Sequence, residues 1–323
     1  MVADRPPRFP YPDEDTFIAG LRRTLPDRSR VRVGIGDDAA VLADGTVVST
    51  DGYLEGVHFD RRYLAPVEIG TRCACAALSD IVAMGVRPGA LFVTLGLPRG
   101  TGRRDVRALY RGLDTVCARL GCSIAGGDTI ASARMLLALT AIGRTRRPLL
   151  RSAARPGQTL YVTGRTGAAE TGRLLLARNP GASRRHPAIA RHIRPLPRMR
   201  TMLALCRHIG ALIDTSDGIA ADARRIARAS GVRVVIEPER LPTLPATRRY
   251  CRETGKDLTD FALTAGEDYE LLFSSDHIIG PVVAGIAITS IGRIERGQGV
   301  WLAGADRTRR LTMSGYDHFN HPA

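Results

Sequence analysis

Val47-Val-Ser-Thr-Asp-Gly-Tyr-Leu-Glu-Gly-Val-His-Phe59 starts with two β-branched apolar residues and passes at once into Ser49, Thr50, Asp51 and Gly52. Val47 and Val48 predict a buried strand. A carboxylate at the lip of such a strand is costly unless something positive meets it. A single instance reads as a strand-ending Asp-Gly turn. The pattern recurs, however, at Val33-Gly-Ile-Gly-Asp-Asp38, Ile124-Ala-Gly-Gly-Asp128 and Leu212-Ile-Asp-Thr-Ser-Asp-Gly218, and Asp80 adds a carboxylate within a helix. Together they read as one site drawn from distant parts of the chain: a carboxylate cage for Mg²⁺ that holds a nucleotide's phosphates.

Working outward, the flanking segments predict alternating strands and helices. Strands are expected over Val31–Ile35, Ala39–Leu42 and Thr46–Thr50, the last two joined as a hairpin by the Asp-Gly turn at 44–45. A short helix over Asp13–Leu25 precedes them. Pro66 opens a long helix that Gly85 stops. On it Cys73, Ala76, Ala77, Asp80 and Met84 share one face, so Asp80 sits among small apolar residues and needs a partner. Further on, Ala90–Leu97 reads as a strand, Arg104–Leu120 as a helix, Ser123–Ala125 as a short strand and Met135–Ile142 as a strand.

A polar Arg/Pro segment at 144–151 sets a domain boundary, giving 1–147 and 148–323. The second half predicts a strand at Thr159–Thr163, a helix at Gly167–Arg178, a basic Pro-rich loop over 179–197 and a helix at Arg198–His208. A strand at Ala211–Ile213 leads to a helix at Gly218–Ala229, with Ser216 or Asp217 as its N-cap. Strands at Val232–Ile236 and Tyr269–Ser274, helical segments between them and a β-rich tail complete an α/β to α+β chain.

Composition excludes several classes. At 323 residues, 44% hydrophobic and 24% charged, the chain has an ordinary globular balance. MLLALTAIG at 135–143 is strand-length, far short of the roughly 18–20 residues of a membrane span. MVADRPPRFPYP has no apolar signal core, which predicts a cytoplasmic protein with reduced cysteines. The net charge of +15 comes almost wholly from arginines, with Lys256 the only lysine. Their scatter argues against a dedicated nucleic-acid face and fits attraction to phosphorylated small molecules. A nucleic-acid binder would instead show steeply salt-dependent binding without turnover.

Mg²⁺ takes hard oxygen ligands and bridges phosphate oxygens. Phosphoryl transfer needs in-line positioning and charge neutralisation, with no covalent nucleophile. The chain has no Gly-x-Ser-x-Gly elbow, no Walker A loop and no kinase Gly-rich loop. A nucleotide-using kinase here requires an unusual fold.

Gly34-Ile-Gly-Asp-Asp-Ala-Ala-Val-Leu42, Ser49-Thr-Asp51 with Gly56-Val-His-Phe59, and Leu78-Ser-Asp-Ile-Val-Ala-Met-Gly85 are followed by Gly126-Gly-Asp-Thr129. Asp214-Thr-Ser-Asp-Gly218, Gly266-Glu-Asp-Tyr-Glu-Leu271 and Gly315-Tyr-Asp-His-Phe319 complete the series. In this order, over nearly the whole chain, they resemble the thiamine-monophosphate kinase family of the aminoimidazole-ribonucleotide-synthetase-like superfamily. The resemblance implies a two-domain fold, with an N-terminal β-sheet domain for ATP, Mg²⁺ and homodimer pairing and a C-terminal α/β domain. It implies direct transfer of the ATP γ-phosphate onto thiamine monophosphate, giving thiamine diphosphate and ADP.

By the same resemblance Asp38, Ser49, Thr50, Asp51, Asp80, Asp128, Asp214 and Asp217 are ligands of several Mg²⁺ ions, directly or through water, with Asp51 and Asp217 as catalytic carboxylates. Tyr110, Gly127, Asp128, Arg151 and Ser216 are implied ATP contacts. His58, Glu267 and Tyr316 are implied contacts of the thiamine moiety. Arg72, Ala77 and Ile130 depart from the family's usual Lys, Asn and Thr. Related superfamily activities fit less well: the N-terminal segment lacks the reactive Cys and Lys of selenophosphate synthesis, and the chain ends His-Pro-Ala rather than in a functional Cys.

Overall fold

The computed structural model describes residues 11–25, 30–304, 307–313 and 315–319. Residues 1–10 of the Pro-rich lead and the closing His-Pro-Ala lie outside the described residues. The chain opens with α1 (Glu14–Thr24), whose N-cap Asp13 accepts from the Thr16 N–H at 2.6 Å. The first sheet follows: β1 (Val31–Val33), β2 (Ala40–Leu42) and β3 (Thr46–Leu54), then α2 (Pro66–Ala83), β4 (Pro88–Leu97), α3 (Arg103–Leu120), β5 (Ser123–Ala131) and β6 (Leu136–Arg144). Its order is β1-β2-β3-β6-β4-β5, with β4 and β5 the parallel pair.

The second half holds β7 (Thr159–Thr163), α4 (Ala168–Arg178), α5 (Pro187–Ile193), α6 (Met199–Leu205), β8 (Leu212–Asp214) and α7 (Ile219–Ser230). It continues with β9 (Arg233–Ile236), α8 (Pro245–Thr254), α9 (Leu258–Thr264), β10 (Leu271–Ser275), β11 (Val282–Val283), β12 (Ile286–Glu295), β13 (Gly299–Ala303) and β14 (Thr308–Arg310). The second sheet runs β14-β13-β9-β12-β7-β10-β8, with β11 attached to β12. The class is α/β to α+β, as the alternation of elements predicts. Among the described residues no helix is long and apolar enough to cross a membrane.

Helix α2 is the hub. It is buried over most of its length, as a helix apolar on nearly every face must be. It packs on β3 and β6 of the first sheet and reaches β8, α5 and α6 of the second half. Its approach to α3 is backbone-close: a Cβ at Gly70 would lie 2.0 Å from the Leu109 carbonyl oxygen, and one at Gly112 2.1 Å from that of Val67. One hydrophobic cluster therefore runs from Val41, Leu78 and Leu137 through to Met202, Leu271 and Phe273.

Several boundaries differ from expectation. Strand β3 does not stop at Thr50 but continues to Leu54, because β6 pairs with it throughout, Asp51 opposite Leu139 and Gly52 opposite Ala138. An unbroken ladder partner outweighs the local turn tendency of Asp-Gly. The chain instead turns over Leu54–Phe59, with Gly56 at φ +85°. Gly126-Gly-Asp128 likewise lies inside β5, paired in parallel with Phe92–Thr94 of β4. The 179–197 loop contains α5, which Pro187 opens and which buries Ala188, Ile189 and His192. Finally, the N-cap of α7 is Gly218, with no side-chain cap, because Asp217 is engaged in an ion pair.

Candidate active site

Alternation along β3 turns Ser49 and Asp51 toward α2 and Thr50 away from it. The Thr50 hydroxyl meets Thr140 Oγ1 at 3.0 Å on the exposed face, opposite to Ser49. Ser49 donates its hydroxyl to Asp80 Oδ2. Asp38 reaches in from the turn before β2, and Asp214 from the end of β8. Oxygens of Asp38, Asp80 and Asp214 all lie within 4.8 Å of one another. The carboxylate next to them, Asp51, accepts from the Tyr53 hydroxyl at 2.9 Å.

Such crowding has an electrostatic signature. Burial, reinforced by Asp51, Asp214 and Asp38, pushes the Asp80 carboxyl well above the usual range. Burial and the Asp38 charge raise Asp214 to about 8. Burial also raises Asp51 and Asp38, the latter against the opposing pull of Arg151. Asp38 Oδ2 and Asp214 Oδ2 are buried and have no hydrogen-bond partner among the described residues. Unpaired buried oxygens on converging carboxylates are the arrangement that a hard divalent cation satisfies.

Two arginines flank the cluster. Arg151 pairs through Nη2 with Asp38 Oδ1 at 2.5 Å, and its backbone N–H lies 3.3 Å from Asp37 Oδ2. Arg225 Nη1 meets Asp217 Oδ2 at 2.6 Å and Asp222 Oδ1 at 2.9 Å, while its Nε lies 3.4 Å from Asp15 Oδ1 on α1. Sequence reasoning missed Asp37, Asp222 and Arg225. Asp37 stood within a quoted motif, whereas the Arg225 pairing has only an i, i+3 spacing to Asp222 as its signal.

The remaining nucleotide-side candidates lie on β5, on α3 and in the loop after β8. Asp128 is exposed on β5, with its Oδ1 taken by the Thr129 N–H at 2.7 Å. Gly127 is obligatory for packing: a Cβ there would lie 1.8 Å from the Val93 carbonyl oxygen. Tyr110 is half-buried on α3 against the core. Ser216 accepts the Glu267 N–H at its carbonyl oxygen, 2.7 Å away, which links the Asp214–Asp217 loop to the Glu267 loop.

His58, Glu267 and Tyr316 form a second group. The Leu54 N–H donates to His58 Nδ1 at 3.1 Å, which leaves the neutral ring's proton on Nε2. Burial, His318 and Arg72 push the His58 pKa down to about 4. His318 stands 5.2 Å from the His58 ring and 4.9 Å, edge-on, from that of Tyr316. The Tyr316 N–H donates to the Asp217 carbonyl at 3.0 Å, so the chain's end is laid onto the start of α7. Glu267, at φ +65°, forms an ion pair with buried Arg72. His318 and Arg72 complete this group, and sequence reasoning gave neither a role.

The other acidic residues of the 266–271 motif are structural. Asp268 accepts the Gly167 and Ala169 N–H groups at 2.6 and 2.8 Å at the start of α4. Burial alone would raise the Glu270 carboxyl, but Arg198 outweighs it and holds the pKa down. A separate cavity of about 790 Å³ lies by Asp257, Asp260 and Arg307, and none of the residues above lines it.

Comparison with known proteins fits this geometry. Residues 36–145 match the family model described as AIR synthase related protein, N-terminal domain. The thiamine-monophosphate kinase of Aquifex aeolicus is 32% identical over 290 residues, covering 88% of this chain and 92% of that protein. That of Pyrococcus horikoshii is 32% identical over 287 residues, covering 88% and 90%. The solved structure of AaThiL complexed with AMPPCP and TMP is 31% identical, covers 95% of this chain and 97% of its own, and superposes with a TM-score of 0.85. On this identity and coverage, the chain belongs to the thiamine-monophosphate kinase family.

Proposed function

We propose that this protein transfers the γ-phosphate of ATP directly onto the phosphate of thiamine monophosphate, giving thiamine diphosphate and ADP, with Mg²⁺ required. The observation that carries the metal requirement is the convergence of Asp38, Asp80 and Asp214 oxygens within 4.8 Å, together with buried Asp38 Oδ2 and Asp214 Oδ2, which have no hydrogen-bond partner among the described residues. The activity itself follows from membership of the family and from likeness to a structure complexed with AMPPCP and TMP.

In this reading Asp38, Ser49, Thr50, Asp51, Asp80, Asp128, Asp214 and Asp217 hold the magnesium ions, directly or through water, with Asp51 and Asp217 nearest the chemistry. Bound magnesium supplies neutralisation of the negative charge that two phosphate groups bring together. The chain's own side chains bind and orient. Arg151 and Ser216 contact ATP, Gly127 gives a phosphate close access to backbone, and Tyr110 contacts the nucleotide. His58, neutral at pH 7, offers Nε2–H to the acceptor. Tyr316 supplies an aromatic face for a cationic ring, and Glu267 a carboxylate.

Three further readings complete the proposal. The chain divides functionally near 147/148, between the last strand of the first sheet and the first of the second. Two copies pair through the outer face of the first sheet, where Phe92 and Ile130 are exposed. The enzyme works in the cytoplasm without nucleic-acid or membrane partners. The activity is tested by product formation from purified protein, ATP, Mg²⁺ and thiamine monophosphate, with free thiamine as parallel acceptor. Magnesium-dependent thiamine diphosphate from the monophosphate alone is expected; no turnover with either acceptor would remove the reading.

A further inference from the structure

We propose that Arg72 is a positioning residue for the acceptor, clamping His58 and Glu267 into one rigid wall. The inference rests on the acceptor-side reading above and adds a residue to it. Arg72 is 3% exposed, on the face of α2 turned toward the second half of the chain. Its fork is used in three directions. Nε donates to the His58 carbonyl at 3.2 Å, Nη1 donates to the His192 carbonyl on α5, and Nη2 pairs with Glu267 Oε1. A planar guanidinium holds several partners at fixed mutual angles, which a point-charge ammonium does not.

Each partner matters to the wall. The His58 carbonyl belongs to the turn that follows β3, whose Leu54 N–H already fixes the imidazole through Nδ1. Glu267 sits in the left-handed region at φ +65°, a conformation that side chains rarely adopt without outside support. That support comes from the Ser216 carbonyl on the backbone side and from Arg72 on the side-chain side. His192, fully buried with neither ring nitrogen hydrogen-bonded among the described residues, contributes its carbonyl as the anchor on α5. Arg72 thus ties the first-sheet turn, the α5 anchor and the Glu267 loop together. It also neutralises Glu267 in part, so that this carboxylate acts as an aimed hydrogen-bond acceptor rather than a diffuse anion.

The test compares wild type with Arg72→Gln, Arg72→Lys, Glu267→Gln and the double variant Arg72→Gln/Glu267→Gln, using the full chain, ATP, Mg²⁺ and thiamine monophosphate. Arg72→Gln is expected to raise KM for thiamine monophosphate by about tenfold or more, with KM for ATP held within about twofold. Arg72→Lys keeps the charge but loses the fork, and falls between the two. The double variant is expected to be no worse than the poorer single variant, the mark of residues acting as a unit. If Arg72→Gln does not fold, Arg72→Lys carries the same KM split. Equal rises in both KM values, an unchanged KM for thiamine monophosphate, or additive losses in the double variant would overturn the inference alone. A wild type inert toward thiamine monophosphate would overturn the reading on which it rests.

Discussion

Arg151 Nη2 and Asp38 Oδ1 are 2.5 Å apart in a buried ion pair, while the second Asp38 oxygen has no hydrogen-bond partner among the described residues. One oxygen is thus committed to the protein and the other is left for a ligand. Burial raises the Asp38 carboxyl pKa, and the arginine opposes that rise. Removing the arginine leaves a buried carboxylate among other carboxylates, with the Arg225 charge still opposing them. Arg151→Gln is expected to destabilise the chelator-treated protein by about 3 kcal/mol, the usual cost of breaking a buried pair from one side. Saturating Mg²⁺ should recover much of that loss, and KM for ATP should rise by about tenfold or more. Melting curves with chelator and with Mg²⁺ check the first point, and steady-state kinetics the second.

The cluster also predicts an unusual pH dependence. The Asp214 pKa is raised from 3.8 to about 8 by burial and by Asp38, and that of Asp37 to about 6 by burial and the same neighbour. A carboxyl whose folded pKa exceeds its unfolded value binds its proton more tightly when folded. Its stabilising contribution is fully present below the unfolded pKa and is lost as pH rises through the folded one. Metal-free protein should therefore lose melting temperature as pH rises from about 4 to about 8, with Mg²⁺ rescuing it most at the upper end. Asp214→Asn should flatten the upper part of the curve. A metal-free melting temperature that climbs over this window in wild type would contradict the carboxylate assignment.

Asp80 offers a test with two opposite signs. Burial and the like charges of Asp51, Asp214 and Asp38 act on it together, and the Ser49 hydroxyl donates to it. Asp80→Asn keeps the shape and removes one charge. The metal-free variant is expected to be more stable than wild type by about 1–2 kcal/mol, as strained functional sites commonly are when relieved. Its turnover should fall by about a hundredfold or more. Denaturant melts in chelator and rate measurements at saturating Mg²⁺ report the two effects. A destabilised metal-free variant would mean that Asp80 serves the fold rather than a ligand.

The sequence was most legible where local chemistry and tertiary structure agree. Pro66 and Gly85 bound α2 because a fixed φ and a left-handed residue suit those positions in any context. The recurrence of Asp after apolar runs located Asp38, Asp51 and Asp214 because burial of a charge needs a reason wherever it occurs. What stayed hidden depended on partners remote in sequence. Asp51-Gly52 reads as a turn until β6 is known to run beside it. Arg72 reads as one arginine among many until His58, His192 and Glu267 converge on it. The pairing of Asp217 with Arg225 removed the expected helix cap, a competition between an ion pair and a hydrogen bond that spacing alone does not decide.

The last prediction concerns the tail. Gly315 packs so closely on the start of α7 that a Cβ would lie 1.9 Å from the Asp217 carbonyl oxygen and 3.0 Å from the Ala221 Cβ. The next residue, Tyr316, donates its N–H to that same carbonyl at 3.0 Å. Gly315→Ala therefore sets a methyl group against a backbone bond that helps to lay the tail down, beside the Glu14 N–H to Asp317 Oδ2 bond at 3.2 Å. Either the tail lifts or α7 shifts. Helix α7 buries Ile219, Ala220, Ala223 and Ile226 in the second core and has little freedom, so the tail should yield. Tyr316 and His318 would then leave the neighbourhood of His58, and KM for thiamine monophosphate should rise by about tenfold. KM for ATP should stay within about twofold, and the melting temperature should fall by only a few degrees. If KM for ATP rises as much as that for thiamine monophosphate, the methyl has displaced the Asp217 loop instead, and the tail serves the nucleotide side as well.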